Sequence, residues 1–89
     1  MQLRWTAQAF ADLEAIWEFI SKDSPASADK AVHEIYNSLT ILKQFPHAAR
    51  RGRVEGTREL IIAPYVAIYE VEAEAVQILR VIHSARRWP

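Results

Sequence analysis

The chain has 89 residues, 51% of them hydrophobic, no cysteine and a formal net charge of zero. That length supports one hydrophobic core, so a single domain over residues 1–89 is expected, and the composition excludes a disordered chain. The lack of cysteine excludes a disulfide framework and thiolate chemistry and fits a reducing cytoplasm, while no signal-peptide core and no apolar run near the ~18 residues of a membrane span is present.

Leu3-Arg4-Trp5 alternates apolar and polar side chains, the period of a short strand. Thr6 follows as an N-cap for a helix whose stripe is Phe10, Leu13, Trp17 and Ile20, widened by Ile16. Asp12, Glu14 and Glu18 fall on its other faces. Ser21 to Pro25 stops the pattern, because proline disfavours a helical conformation in the residue before it. Pro25 also suits the first turn of a second helix capped by Ser24, with Ser27 as a later alternative cap. Val32, Ile35, Leu39 and Leu42 form its stripe, flanked by Tyr36 and Phe45, and Phe45-Pro46 ends it. Two one-faced helices joined by a short break make a hairpin that must lie on a sheet.

Residues 46–57 have no periodicity, hold both glycines and carry Arg50, Arg51 and Arg53, so they are expected to form a basic loop. Three strands then follow, Arg58–Ile62, Tyr65–Val71 and Val76–Ile82, with connections short enough for an antiparallel meander. Strict alternation puts Arg80 on one face with Val76, Ile78 and Ile82, and Arg58 on one face with Leu60 and Ile62. The last strand runs into His83-Ser84-Ala85-Arg86-Arg87-Trp88-Pro89. The expected fold is thus α+β: a helical hairpin packed on a twisted antiparallel sheet, in the order β-α-α-β-β-β.

Zero net charge conceals a gradient. Residues 1–49 carry four basic and six acidic groups; residues 50–89 carry seven and five, and all seven basic ones are arginine. Arginine offers a planar fork for phosphate or carboxylate that lysine lacks, so the second half is expected to meet an anionic partner. There is no phosphate-binding glycine loop, and His33, His47 and His83 lack metal-ligand spacing, so neither metal nor cofactor is expected. What remains is Arg58, Arg80, His83, Arg86 and Arg87, with the loop arginines nearby. A metal-free ribonuclease needs an acid, a base and cations for the phosphate; His83 can supply one proton transfer and the arginines the charge. Each residue also has a purely structural use: His83 bonding backbone, Arg80 pairing with Glu59 or Glu70, Trp88 pinning the tail. Trp17 is expected in the core or at a partner contact.

Gly56-Thr57-Arg58-Glu59-Leu60, Pro64-Tyr65-Val66 with Tyr69, Ile78-Leu79-Arg80-Val81-Ile82-His83 and Ala85-Arg86-Arg87-Trp88 closely resemble the RelE/ParE superfamily of toxin–antitoxin toxins. The first helix, with Ala9, Asp12-Leu13, Ile16-Trp17 and Ile20, resembles that family's opening, so the likeness spans nearly the whole chain. The resemblance implies a cytoplasmic toxin causing growth arrest, neutralised by an antitoxin that alone contacts operator DNA. One branch cleaves mRNA on the ribosome, which would make Arg58, Arg80, His83 and Arg86 catalytic; the other inhibits DNA gyrase. Here Ser84 follows the histidine, no tyrosine follows Tyr69, the basic loop lacks lysine and the net charge is zero. The ParE-like branch fits these departures better. Arg50, Arg51, Arg53, Arg58, Arg80, Arg86, Arg87, Trp88 and Trp17 are then the expected contacts with target or antitoxin.

Overall fold

A computed structural model describes residues 1–89. A first strand, β1 (Gln2–Trp5), leads into helices α1 (Ala7–Ser21) and α2 (Pro25–Leu39), the second extended by a 3-10 turn, Thr40–Lys43. Strands β2 (Arg50–Arg51), β3 (Thr57–Ile62), β4 (Tyr65–Val71) and β5 (Ala75–His83) complete the chain.

Both helix starts follow from local chemistry. The Thr6 hydroxyl accepts from the Ala9 N–H at 3.1 Å, and its oxygen also lies 3.0 Å from the Ile78 carbonyl, to which it donates. One side chain therefore caps α1 and ties that cap to β5. Ser24 accepts from the Ser27 N–H at 3.2 Å, with Pro25 in the first turn where its missing N–H costs nothing.

The five strands form one sheet in the order β1-β5-β4-β3-β2. β3, β4 and β5 are the expected antiparallel meander, with Ile62 opposite Tyr65 and Tyr65 opposite His83. The sheet as a whole is mixed, however, because β1 runs parallel to β5 from Gln2 opposite Ala75 to Trp5 opposite Ile78. The helical hairpin is the crossover that makes this possible, since parallel neighbours cannot be joined by a tight turn. Arg50 and Arg51, expected in a loop, instead form a two-residue edge strand opposite Glu59 and Arg58.

Alternation along β5 fails at one place. Ile68 pairs with Arg80 but Tyr69 pairs with Ile78, so Leu79 is an extra residue in a β-bulge. Val76 and Ile78 face the helices, and after the bulge Val81 does so too, which separates Arg80 from the face it was expected to share.

The core lies between helices and sheet. Ile35, Leu39 and Leu42 meet Ala67, Tyr69, Val76, Ile78 and Val81, all at most 2% exposed. Burying each large side chain contributes about 1.5–3 kcal/mol. On α1 the inward residues are Ala9, Leu13 and Ile16; Phe10 is 57% exposed and Trp17 38%, so the expected stripe is rotated by one position. The rotation makes room for Asp12, a carboxylate that the sheet requires on this side of the helix. The opposite face of the sheet carries no helix.

Candidate functional site

The arginines of the second half divide among three places. Arg80 is the most constrained. Its Nε donates to Asp12 Oδ2 at 2.8 Å and its Nη2 to Oδ1 at 3.1 Å, while the Val81 N–H donates to Oδ2 at 2.9 Å. One carboxylate thus holds the guanidinium fork and also takes a β5 backbone donor that β1 is too short to reach. Asp12 pushes the Arg80 guanidinium further above its already high range, against the opposing effect of its partial burial. Arg80 is bound to α1, and neither Glu59 nor Glu70 is its partner.

Arg58 stands on the helix-facing side of β3 with Leu60 and Ile62, at the end that the helices leave uncovered. Its Nη1 donates to the carbonyls of Ala49 (2.8 Å) and His47 (3.3 Å), fastening the loop after α2. Tyr69, across the ladder from Arg58, donates its hydroxyl to the Pro46 carbonyl at 2.8 Å. Burial pushes that phenol above its ordinary value; the Ala49 N–H and the Arg58 charge oppose the rise. Arg51 lies directly opposite Arg58, two like charges that disfavour one another across the strands. With His47 and Arg53 they line an open cavity of about 460 Å³. Gly52 allows the sharp turn there: its N–H reaches the Thr57 carbonyl at 2.8 Å, and a Cβ on it would collide with the Thr57 side chain. Gly56, at φ 86°, closes the same loop in a conformation that favours glycine.

The third place is the open face of the sheet. Arg50 donates through Nε (3.2 Å) and Nη2 (2.9 Å) to the same oxygen of Glu59. Beyond β5 the chain turns back: the Ser84 N–H donates to the Pro64 carbonyl at 2.8 Å, and the Arg86 N–H to the His83 carbonyl at 2.9 Å. This brings Arg86, Arg87 and Trp88 beside Arg50 and Arg53, around a groove of about 150 Å³. The groove also borders Val66, Ile68 and Ile82. His83 Nδ1 accepts from the Ala85 N–H at 3.1 Å, and the ring meets Tyr65 edge-on, centroids 6.0 Å apart.

The structure therefore brings together Arg50, Arg53, His83, Arg86, Arg87 and Trp88, and sets Arg51 with Arg58 around the corner of the β2–β3 edge, Arg53 bordering both cavities. Arg80 borders neither. Trp17 is remote from all of these, on the helical hairpin, where its Nε1 donates to Asp29 Oδ1 at 2.8 Å. Two residues that sequence reasoning did not assign matter here. Asp12 was detectable as an acid one position from the apolar Leu13 in a half-buried helix. Ile68 was detectable because β4 carries apolar side chains on both faces, the mark of a strand covered on both sides.

Comparison with known proteins agrees with this geometry. The family described as the ParE toxin of the type II toxin–antitoxin system parDE matches residues 3–88. Y4kP of Sinorhizobium fredii is 37% identical over 90 residues, 99% of this chain and 93% of that protein. Toxin RelE2 of Caulobacter vibrioides is 32% identical over 85 residues, 96% and 97% of the two chains. Among solved structures, a chain of the chromosomal ParDE toxin–antitoxin system from P. aeruginosa superposes with a TM-score of 0.84 and 35% identity, covering 93% of this chain and 95% of its own. A chain of the toxin–antitoxin complex RelBE2 from Mycobacterium tuberculosis gives 0.62 and 26%, covering 92% and 95%. A match over nearly the full length, on the same two-helix, mixed-sheet architecture, establishes that the chain belongs to the ParE toxin family, a type II toxin–antitoxin toxin of the RelE/ParE superfamily.

Proposed function

We propose that the chain is a ParE-like toxin that inhibits DNA gyrase in the cytoplasm through protein contacts made by its arginine rim, and that a cognate antitoxin neutralises it. The observation that carries this reading is the dispersal of the groups a ribonuclease would need at one phosphate. His83 borders the open-face groove, Arg58 borders the other cavity, and Arg80 is engaged by Asp12. Proton transfer and charge stabilisation at a single phosphate require those groups within hydrogen-bond reach of it. The antitoxin reading is supported by the neighbours' membership of toxin–antitoxin systems, and by apolar side chains left in solvent on the hairpin, Phe10, Trp17 and Phe19 among them. On this reading operator DNA is reached only through the antitoxin.

A ribosome-dependent ribonuclease is the second reading, favoured by the Tyr65–His83 contact, which sets a second titratable group beside the imidazole. One paired experiment separates the two. Purified protein is added to a gyrase supercoiling assay and to a translation reaction whose message is mapped by primer extension. Loss of supercoiling or trapped cleaved DNA, with intact message, is expected. Untouched gyrase beside codon-positioned cuts that His83→Ala abolishes would overturn the gyrase reading.

A further inference from the structure

The corner where β2 meets β3 concentrates positive charge that nothing in the chain neutralises. Arg51 and Arg58 stand directly opposite one another on neighbouring strands, so their side chains leave one face of the sheet with Cβ atoms about 5 Å apart. Like charges so placed cost stability. The chain's two ion pairs engage Arg50 and Arg80, which leaves Arg51, Arg53 and Arg58 without a carboxylate. All three, with His47, line the open cavity of about 460 Å³, and Glu55, its one acid, pairs with none of them. Arg58 is also fixed in direction, because its Nη1 is held by the carbonyls of Ala49 and His47.

The backbone adds donors. In the loop that borders the cavity, the N–H groups of Arg53, Val54, Glu55 and Gly56 donate to no carbonyl of the chain. Glu55 and Gly56 are the central residues of a turn closed by the Thr57 N–H on the Val54 carbonyl at 3.1 Å, with Gly56 at φ 86°. Successive free N–H groups in such a turn form the concavity in which a backbone binds anions.

We infer that this cavity binds a diphosphate group, free or as the end of a nucleotide, with Arg51 and Arg58 on its oxygens. Arg53, His47 and the free N–H groups of the turn supply the remaining donors. A carboxylate has two oxygens in one plane and satisfies one guanidinium fork, whereas a diphosphate offers oxygens to several forks and matches more of the charge. A nucleobase finds nothing to stack on, since the apolar side chains on the cavity are Val54 and Val71. Recognition is therefore of the phosphates, whatever they are attached to. A nucleic-acid strand fits poorly for the same reason, and each of its internal phosphates carries a single charge. A bound diphosphate also offsets the repulsion between Arg51 and Arg58, so occupancy stabilises this edge of the sheet. The site stands apart from His83 and the open-face groove and does not depend on which target the toxin acts on.

The test is isothermal titration calorimetry on the intact chain with sodium diphosphate at fixed ionic strength. One saturable site is expected, with diphosphate held about tenfold more tightly than monophosphate. ADP and GDP, the same group on two bases, should bind alike. Nucleotides no tighter than free diphosphate identify the unesterified anion as sufficient, and nucleotides that are equally tighter identify the esterified form. A difference between the two bases overturns recognition through the phosphates. Arg51→Gln removes one fork and should weaken binding about tenfold. Arg4→Gln, the same charge change on the opposite edge of the sheet, should alter it by no more than about twofold. Without ligand, Arg51→Gln should not lower the urea midpoint, because it removes a repulsion; with saturating diphosphate the midpoint of the unaltered chain should rise more than the variant's. Arg53→Gln, outside the strands, should weaken binding about threefold or more and supplies the comparison if the first variant fails to fold. Absence of saturable binding, or equal losses in Arg51→Gln and Arg4→Gln, overturns the site. So does a single-stranded oligonucleotide without terminal phosphate that displaces diphosphate through Arg51. The gyrase assay fails independently: a chain that binds diphosphate and leaves gyrase untouched loses the target and keeps this site, whereas gyrase inhibited by a chain that binds no diphosphate does the reverse.

Discussion

Replacing Asp12 by alanine tests the part of the fold that keeps Arg80 out of the arginine rim. The substitution removes both guanidinium contacts and leaves the Val81 N–H without its acceptor. The side chains of Arg80 and Asp12 are 19% and 14% exposed, so the pair is largely but not wholly desolvated. Breaking a fully buried pair by deleting one partner costs about 3–5 kcal/mol, which partial solvent access reduces, and an orphaned backbone donor adds about 1 kcal/mol. We expect a loss of about 3 kcal/mol, against a total stability on the order of 5–13 kcal/mol for a chain of this length. In urea titrations followed by tryptophan fluorescence and circular dichroism, that loss should lower the midpoint by about 2–3 M. Arg80→Met keeps most of the stem packing, and a double-mutant cycle with Asp12→Ala should give a coupling of about 2 kcal/mol. A coupling under about 0.5 kcal/mol would place the contact with ordinary surface ion pairs and refute the argument that α1 is fastened to the bulge by this carboxylate.

Three other outcomes follow from the same structure. Tyr69→Phe should cost about 1 kcal/mol near neutral pH through the lost bond to the Pro46 carbonyl. It should also flatten the alkaline limb of the stability curve. The folded phenol holds its proton more tightly than the unfolded one, so its contribution is complete below the ordinary value and is lost as pH rises through the raised one; urea midpoints measured up to strongly alkaline pH check the difference. Gly52→Ala should destabilise by about 1–3 kcal/mol because the Thr57 side chain and backbone leave no room for a methyl group, and amide exchange should localise the loosening to the β2–β3 connection. Leu39→Ala, at a fully buried core position, should cost about 2–5 kcal/mol in the same titrations.

Local features were legible in the sequence and remote ones were not. The caps at Thr6 and Ser24 and the meander of three strands follow from residues within a few positions of each other. The partner of Arg80 lies 68 residues away, and the sequence offered nearer glutamates instead. The β1–β5 ladder is equally distant, so nothing in either segment fixed its parallel sense. The bulge at Leu79 was invisible because one extra residue in an apolar strand leaves composition unchanged while reversing which side chains face inward. The arginine segregation identified the cationic end, but its separation into distinct places depends on the two faces of β3 and on a tail that folds back.

The order of assembly has a consequence for how the chain is made. The strand flanked by both β1 and β4 is β5, the last of them to be synthesised. Until the ribosome releases it, the hairpin and the first strand have no neighbour to settle on, and the β3–β4 ribbon keeps an open margin. Nascent copies halted upstream of Ala75 should therefore be aggregation-prone, so that a cell making this polypeptide meets a competent fold only after β5 has emerged.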